Sequence, residues 1–138
     1  MEMKIKLDMG AKLPVSAHEA DAGYDLFAME TKTVPARGSV SFDTGVHIQI
    51  PVGYVGFLKS KSGLNVKHGI ISDGTIDSGY TGSIVAKLYN LSDKDYIVNA
   101  GDKITQIVFQ QIAKPTFEEV EEFEETERRN GGFGSTGK

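Results

Sequence analysis

Apolar and polar residues alternate with a period of two over several short stretches of the chain. Met3, Ile5 and Leu7 are interleaved with Lys4 and Lys6, and Val46, Ile48 and Ile50 with His47 and Gln49. That period puts one set of side chains on one face of a strand. The segments SIVAKLYN (83–90), DYIVNA (95–100) and ITQIVFQQI (104–112) are rich in β-branched and aromatic residues, which suit a pleated, half-buried surface. Turn formers separate them: Ala36-Arg37-Gly38, Pro51-Val52-Gly53, Ser92-Asp93-Lys94 and Ala100-Gly101-Asp102. Many short strands at this spacing predict an all-β fold, a distorted jelly-roll-like β-barrel. A single short helix is predicted over SGLNVKHG (62–69), with a serine capping the turn of Leu64, Asn65 and Val66.

A chain of 138 residues fits one domain with a sizeable core. The longest apolar runs are four or five residues, so no membrane span is expected, and MEMKIKLDMG does not read as a signal peptide. There is no cysteine, which rules out disulfides and thiolate metal sites and suits a cytoplasmic protein. His18, His47 and His68 are scattered without metal-ligand spacing, and each reads as an ordinary core or surface histidine. The net charge of −4 hides an asymmetry: EEVEEFEETE (118–127) holds seven of the nineteen acids. The remaining twelve face fifteen bases, a balance of +3. A body this close to neutral is not that of a duplex nucleic-acid binder, but it suits a small anion. Residues 113–129, with Pro115 near their start, read as a connector, and the glutamates as a solvated segment.

Four polar islands interrupt the strand pattern. In ADAGYDLFA (20–28), Asp25 sits at the start of a strand, either as a turn cap or as an acid holding hydrated Mg²⁺. In LKSKSGLNVKHG (58–69), Ser60, Lys61, Ser62 and Gly63 open the helix. Hydroxyls, amides and a lysine there suit an anion, although P-loop spacing and a parallel α/β context are missing and a plain helix cap is the alternative. In GIISDGTIDSGYTG (69–82), Ile70-Ile71 and Thr75-Ile76 read as arms of a hairpin about Ser72-Asp73-Gly74. Its mouth would expose backbone groups able to read a nucleobase edge, with Asp77 placed to activate a water; a plain hairpin with turn acids is the alternative. In AGDKITQIVFQQ (100–111), Gln106 is either a surface residue or an amide facing a ligand. The chain ends in NGGFGSTGK (130–138), four glycines around one aromatic, read either as a frayed terminus or as a flap that closes on an anion.

In this order, AGYDL, KSGL, DGTIDSGYTG, GDKITQIVF and RRNGGFGSTG closely resemble the five motifs of the trimeric deoxyuridine triphosphate nucleotidohydrolases, the dUTPases. The resemblance runs from about Lys4 to Gly137. It implies an all-β homotrimer of the β-clip type whose three active sites are each built from all three subunits, and which cleaves dUTP to dUMP and pyrophosphate with Mg²⁺. By motif position it implies that Asp77 activates the attacking water and that Tyr80 stacks on the deoxyribose. Gly74, Thr75 and Ile76 would bind uracil through backbone groups. Lys61, Ser62, Gly63 and Gln106 would hold phosphates, and Asp25 would reach the metal through water. Arg128, Phe133, Gly134 and Ser135 would belong to a closing arm, so that residues 1–126 form the barrel and 127–138 a flexible lid.

Three departures from the motifs stand out. Lys61 replaces a usual arginine, turning a fork-shaped contact into a point charge. Arg129 replaces a usual glycine, and the 69–75 loop is short. Rival readings are a dCTP deaminase of the same fold and a non-catalytic trimer that binds a nucleotide or a protein. The first lacks a glutamate in 69–80, and the second gives no reason to keep Asp77 together with the glycine-rich end.

Overall fold

A computed structural model describes residues 1–132 and Gly134. Ten strands and one helix follow in the order β1 (Lys4–Leu7), β2 (Gly23–Phe27), β3 (Lys32–Val34), β4 (Ser39–Asp43), β5 (Val46–Gln49), β6 (Tyr54–Lys59), α1 (Ser62–His68), β7 (Ile70–Ile76), β8 (Val85–Asn90), β9 (Tyr96–Val98) and β10 (Lys103–Gln111). A six-stranded antiparallel sheet, ordered β2-β10-β6-β7-β8-β4, curls into a half-barrel, and two ribbons, β1-β5 and β3-β9, complete it. The fold is mostly β with one short helix, as the alternation predicts.

The inward residues of the alternating segments make the core. Val46, Ile48 and Ile50 pack with Leu26, Leu58 and Ile107 in one cluster, while Phe42, Ile70, Leu88 and Ile104 centre a second. Each such side chain contributes about 1.5–3 kcal/mol by leaving water. The four turn signals fall between elements, with Gly53 and Gly101 at φ of 93° and 91° and Arg37 at 61°. Asn90, 1% exposed, closes the Ser92–Lys94 turn: its amide donates to the carbonyls of Val34 (3.0 Å) and Lys94 (2.8 Å). β1 departs from its alternation, since all four of its residues are exposed in the single chain. Among the described strands it pairs with β5.

Two local expectations fail. No hairpin forms within 70–76, because β7 runs straight through: Ile70–Ser72 pairs with β8 and Asp73–Ile76 with β6. Gly74 does not take the positive φ of a turn; it serves close packing, since a Cβ there would lie 3.1 Å from Leu58 Cδ1. Ser72 is buried rather than at a turn tip, with its hydroxyl 2.8 Å from that of Thr105. The helix forms where predicted and ends on Gly69 at φ 66°, but no serine caps it. Lys61 holds the N-cap position without a side-chain bond, and the Ser60 hydroxyl instead donates to the Ser72 carbonyl (3.1 Å). After β10 the chain continues without regular structure to its acidic segment, where Phe117 and Phe123 are 96% and 91% exposed.

Candidate active site

The polar islands assemble into two constellations. The first lies where β2, β10 and the β6–α1 junction meet. On β10, Gln106 stands opposite Asp25 of β2 on one side and Lys59 of β6 on the other. The Gln106 amide donates to the Ser60 carbonyl (3.1 Å), fixing the start of the turn that delivers Lys61 and Ser62. Two β10 residues three apart should point to opposite faces of the sheet. A bulge between Lys103 and Thr105 shifts the register, so Lys103 opposes Phe27 and shares the face of Gln106 and Asp25.

Asp25 is the hub of this cleft. Its side chain is 6% exposed, with Oδ1 against Lys61 Nζ and Oδ2 3.2 Å from Lys103 Nζ. It is therefore no turn cap: it lies within β2, and its backbone N–H donates to Val15 (2.6 Å). The cleft, about 280 Å³, is further lined by Asp21, Gly23, Ser62 and Gln106. A carboxylate held between two lysines, with hydroxyl and amide groups beside it, is equipped to exchange those cations onto a polyanion. Among the described residues no group of three or more His, Cys, Asp or Glu side chains gathers as a metal cage. The donor set fits a hydrated Mg²⁺ carried on phosphates, reached by Asp25 through water, and not a cage built of protein alone.

The second constellation is the end of β7 and the turn after it. Over Asp73–Ile76 one edge of β7 pairs with β6, while β8 has already diverged and pairs only with Ile70–Ser72. The other edge at Gly74, Thr75 and Ile76 thus has no partner strand among the described residues, and its N–H and C=O groups are free to meet a planar hydrogen-bonding ligand. The expected backbone reader is an open strand edge rather than a hairpin mouth. Asp77 opens a tight turn closed by Tyr80 N–H donating to the Asp77 carbonyl (3.0 Å). The Tyr80 hydroxyl donates to the Ser83 carbonyl (2.6 Å). Gly82 is required beneath that ring, since a Cβ would fall 2.6 Å from the phenol oxygen and 2.7 Å from Cζ.

One chain does not unite these constellations. Lys59, beside the cleft, pairs with Asp73, whereas Ile76 pairs with Gly56 farther down the same ladder. At about 3.3 Å per residue, Asp77 stands roughly 13 Å along β7 from Asp73. Arg128 lies in a turn of its own, with Nε donating to the Gly131 carbonyl (2.6 Å), and Arg129 pairs with Glu125 (3.2 Å). Gly134 is left-handed at φ 86°, and Phe133 and Ser135 lie outside the described residues. Gly63 sits in the first turn of α1 with open space at its Cα. Lys103 and Gly23 escape sequence reasoning: the bulge that aims Lys103 leaves no mark in the alternation, and Gly23 matters only through its contact with Gln106.

A family model described as dUTPase matches residues 10–137. The chain belongs to the dUTPase family. It is 44% identical over 133 residues to the deoxyuridine 5'-triphosphate nucleotidohydrolase of Paramecium bursaria Chlorella virus 1, covering 96% of this chain and 94% of the relative. To the enzyme of the same name from Candida albicans it is 43% identical over 130 residues, covering 92% and 82%. A dUTPase of Staphylococcus bacteriophage 80alpha, solved with dUpNHpp, superimposes with a TM-score of 0.89 at 32% identity over 99% of this chain and 98% of that one. A phage phi11 dUTPase, whose structure details the coordination of a structural Mg(II) ion, gives 0.84 at 30% identity over 89% and 99%. This dUTPase-family chain shares their half-barrel, and no helix among its described residues is long and apolar enough to cross a membrane.

Gly23 supplies a direct check on the cleft. A Cβ there would lie 2.4 Å from Gln106 Oε1 and 3.1 Å from Gln106 Cβ, so Gly23→Ala must displace the amide. The substitution is expected to cost about 1–3 kcal/mol of unfolding free energy and to shift the Gln106 side-chain amide resonances. Unaltered resonances would remove Gly23 from the architecture of the cleft.

Proposed function

We infer that the chain is a dUTP diphosphatase, hydrolysing dUTP to dUMP and pyrophosphate by attack of water on the α-phosphorus. That reaction withholds uracil from DNA synthesis and supplies dUMP for thymidylate. The observation that carries the reading is the cleft in which Asp25 holds Lys61 and Lys103, on a chain whose match to the dUTPase family spans nearly its whole length.

A triphosphate brings about four negative charges, and displacement at phosphorus needs that charge neutralised and the nucleophile aligned. Lys61 and Lys103 exchange Asp25 for phosphate oxygens, while Ser62, Gly63 and Gln106 line the same path. Mg²⁺ bound with the substrate would supply further neutralisation, and Asp25 is the residue that would hold it, through water. Asp77 accepts a proton from the attacking water as general base. Tyr80 stacks against deoxyribose and leaves no space for a 2′-hydroxyl. The open β7 edge at Gly74, Thr75 and Ile76 reads uracil. Cytosine is refused by mismatched donors and acceptors, and thymine by its methyl group. A methyl is worth only about 1–3 kcal/mol in a compliant pocket, so the reader must be rigid, as a strand locked to β6 is.

The division of the site within one chain supports a homotrimer in which Asp77 of one copy meets the cleft of another. Residues 127–138 act as a separate arm on the barrel of residues 1–126, and the arm closes over the bound nucleotide. Arg128 lies on the γ-phosphate, Phe133 on the uracil, and Gly134 and Ser135 on the phosphates. Such a lid admits the attacking water and excludes bulk solvent. No nucleic acid or membrane is a partner in this reading, and the enzyme works in the cytoplasm.

With Mg²⁺ present, pyrophosphate release from dUTP is expected to exceed that from dCTP, dTTP and UTP; equal rates on all four would remove the selectivity. Asp77→Asn should bind dUTP normally and turn it over at least about 10²-fold more slowly, as single-turnover kinetics would report. Truncation after Thr126 should leave the trimer intact by sedimentation and abolish most turnover, and a fully active truncated enzyme would refute the lid.

A further inference from the structure

Away from the cleft, one imidazole is held between two acceptors. His47 of β5 places Nδ1 2.8 Å from the Thr81 carbonyl oxygen and Nε2 3.0 and 3.1 Å from the two carboxylate oxygens of Asp8. A carbonyl and a carboxylate only accept. A neutral imidazole has a single N–H, so it could satisfy one of these contacts and would set lone pair against lone pair at the other. Only the doubly protonated ring satisfies both. Thr81 directly follows Tyr80 in the turn that begins at Asp77.

We propose that His47 is a positioning residue, whose imidazolium ties the turn carrying Asp77 and Tyr80 to the exit of β1 and releases it on losing a proton. The inference rests on the assignment of Asp77 and Tyr80 to the reaction.

The far foot of the turn is anchored separately. The Ser83 hydroxyl donates to Asp43, and the Thr44 N–H and hydroxyl both donate to the Ile84 carbonyl (3.0 and 2.6 Å). The Ser83 bond, then the Gly45 N–H, hold the Asp43 carboxyl below its ordinary range, so that anchor stays charged at neutral pH. The Thr81 end depends instead on an imidazole. The ionisable groups around His47 are Asp8, Lys6 and Lys4 from β1 and its exit and Asp43 from the end of β4; β5 adds no other. Lys6, its partner across the ladder, disfavours the charged ring, and Asp8 favours it. The Thr81 bond first and the Asp8 bond second raise the His47 pKa above its ordinary value, against a smaller opposing effect of burial. With a raised folded value, the bridge is complete below the ordinary histidine pKa and is lost as pH climbs through the folded one.

His47→Phe keeps a flat ring on the strand and removes both donors. Its kcat/KM for dUTP is expected to fall about tenfold below wild type at pH 6 and to converge with wild type as pH climbs through the raised folded value of His47, where the native bridge is lost. His47→Gln, with one neutral donor, should exceed His47→Phe by the same factor at both ends of that pH range. Asp8→Asn should move the wild-type decline to lower pH. The Gly82 amide, joined to the Thr81 carbonyl, should titrate with the His47 ring in ¹⁵N NMR. A His47→Phe to wild-type ratio that is constant from pH 6 to 9, or a Gly82 amide indifferent to the ring, overturns the proposal. Full turnover in Asp77→Asn would instead overturn the role given to the turn, while the Gly82 titration would still report the bridge.

Discussion

The register of β10 between β2 and β6 is the constraint on which the phosphate side of the molecule depends. Gln106 faces Asp25 across one ladder and Lys59 across the other, so a single residue aligns the acid with the chain that turns into Lys61. Slipping either pairing by one position would send Asp25 or Gln106 to the opposite face, because side chains alternate with a period of two. Beneath the cleft, Thr105 donates to the Lys59 carbonyl (3.0 Å) and meets Ser72, and Ser72 N–H donates to the Ser60 hydroxyl (3.0 Å). These buried bonds lock three strands at one level. The bulge then adds what a regular ladder cannot, a second β10 side chain, Lys103, on the face of Gln106.

The charge arrangement has a consequence for binding. A carboxylate this enclosed needs charged partners, and Lys61 and Lys103 supply one on each of its oxygens. A pair of charges about 4 Å apart gains about 4 kcal/mol near a protein surface, and phosphate oxygens can replace the carboxylate at the same lysines. Asp25 thus holds both ammonium groups in the cleft, where the proposed triphosphate would meet them. Replacement of the usual arginine by Lys61 suits this exchange, because an ammonium moves between oxygens without the fixed fork of a guanidinium.

How much of this was legible in the sequence varied with the physics involved. Alternation around Val46, Ile48 and Ile50 marks a strand whose inner face is core, and the glycines at 53 and 101 mark true left-handed turns. Gly74 looked the same and is not: its missing side chain makes room for Leu58, a contact that exists only once β6 and β7 are paired. Ser72 read as a turn residue for the same reason, since its partner Thr105 lies 33 positions away. The motif order pointed to the family and to most of the cleft residues. It could not reveal Lys103, whose direction is set by a bulge, nor that Asp25 is paired rather than capping.

The geometry of β7 joins these parts. One strand changes partner midway, from β8 to β6, and the change leaves an open edge immediately before Asp77. Gly74 to Ile76, Asp77 and Tyr80, to which we assign the uracil, the water and the deoxyribose, therefore follow one another in the chain from a strand held by the core. The phosphate cleft sits at the other end of the same ladder. Because a β-ladder is stiff along its length, the two halves cannot be brought together by bending one chain. In the homotrimer proposed above, another copy would present its β7 turn to close that gap. The anchors at His47 and Asp43 matter because the turn, exposed at Asp77, Gly79 and Tyr80, has little core packing to hold its shape.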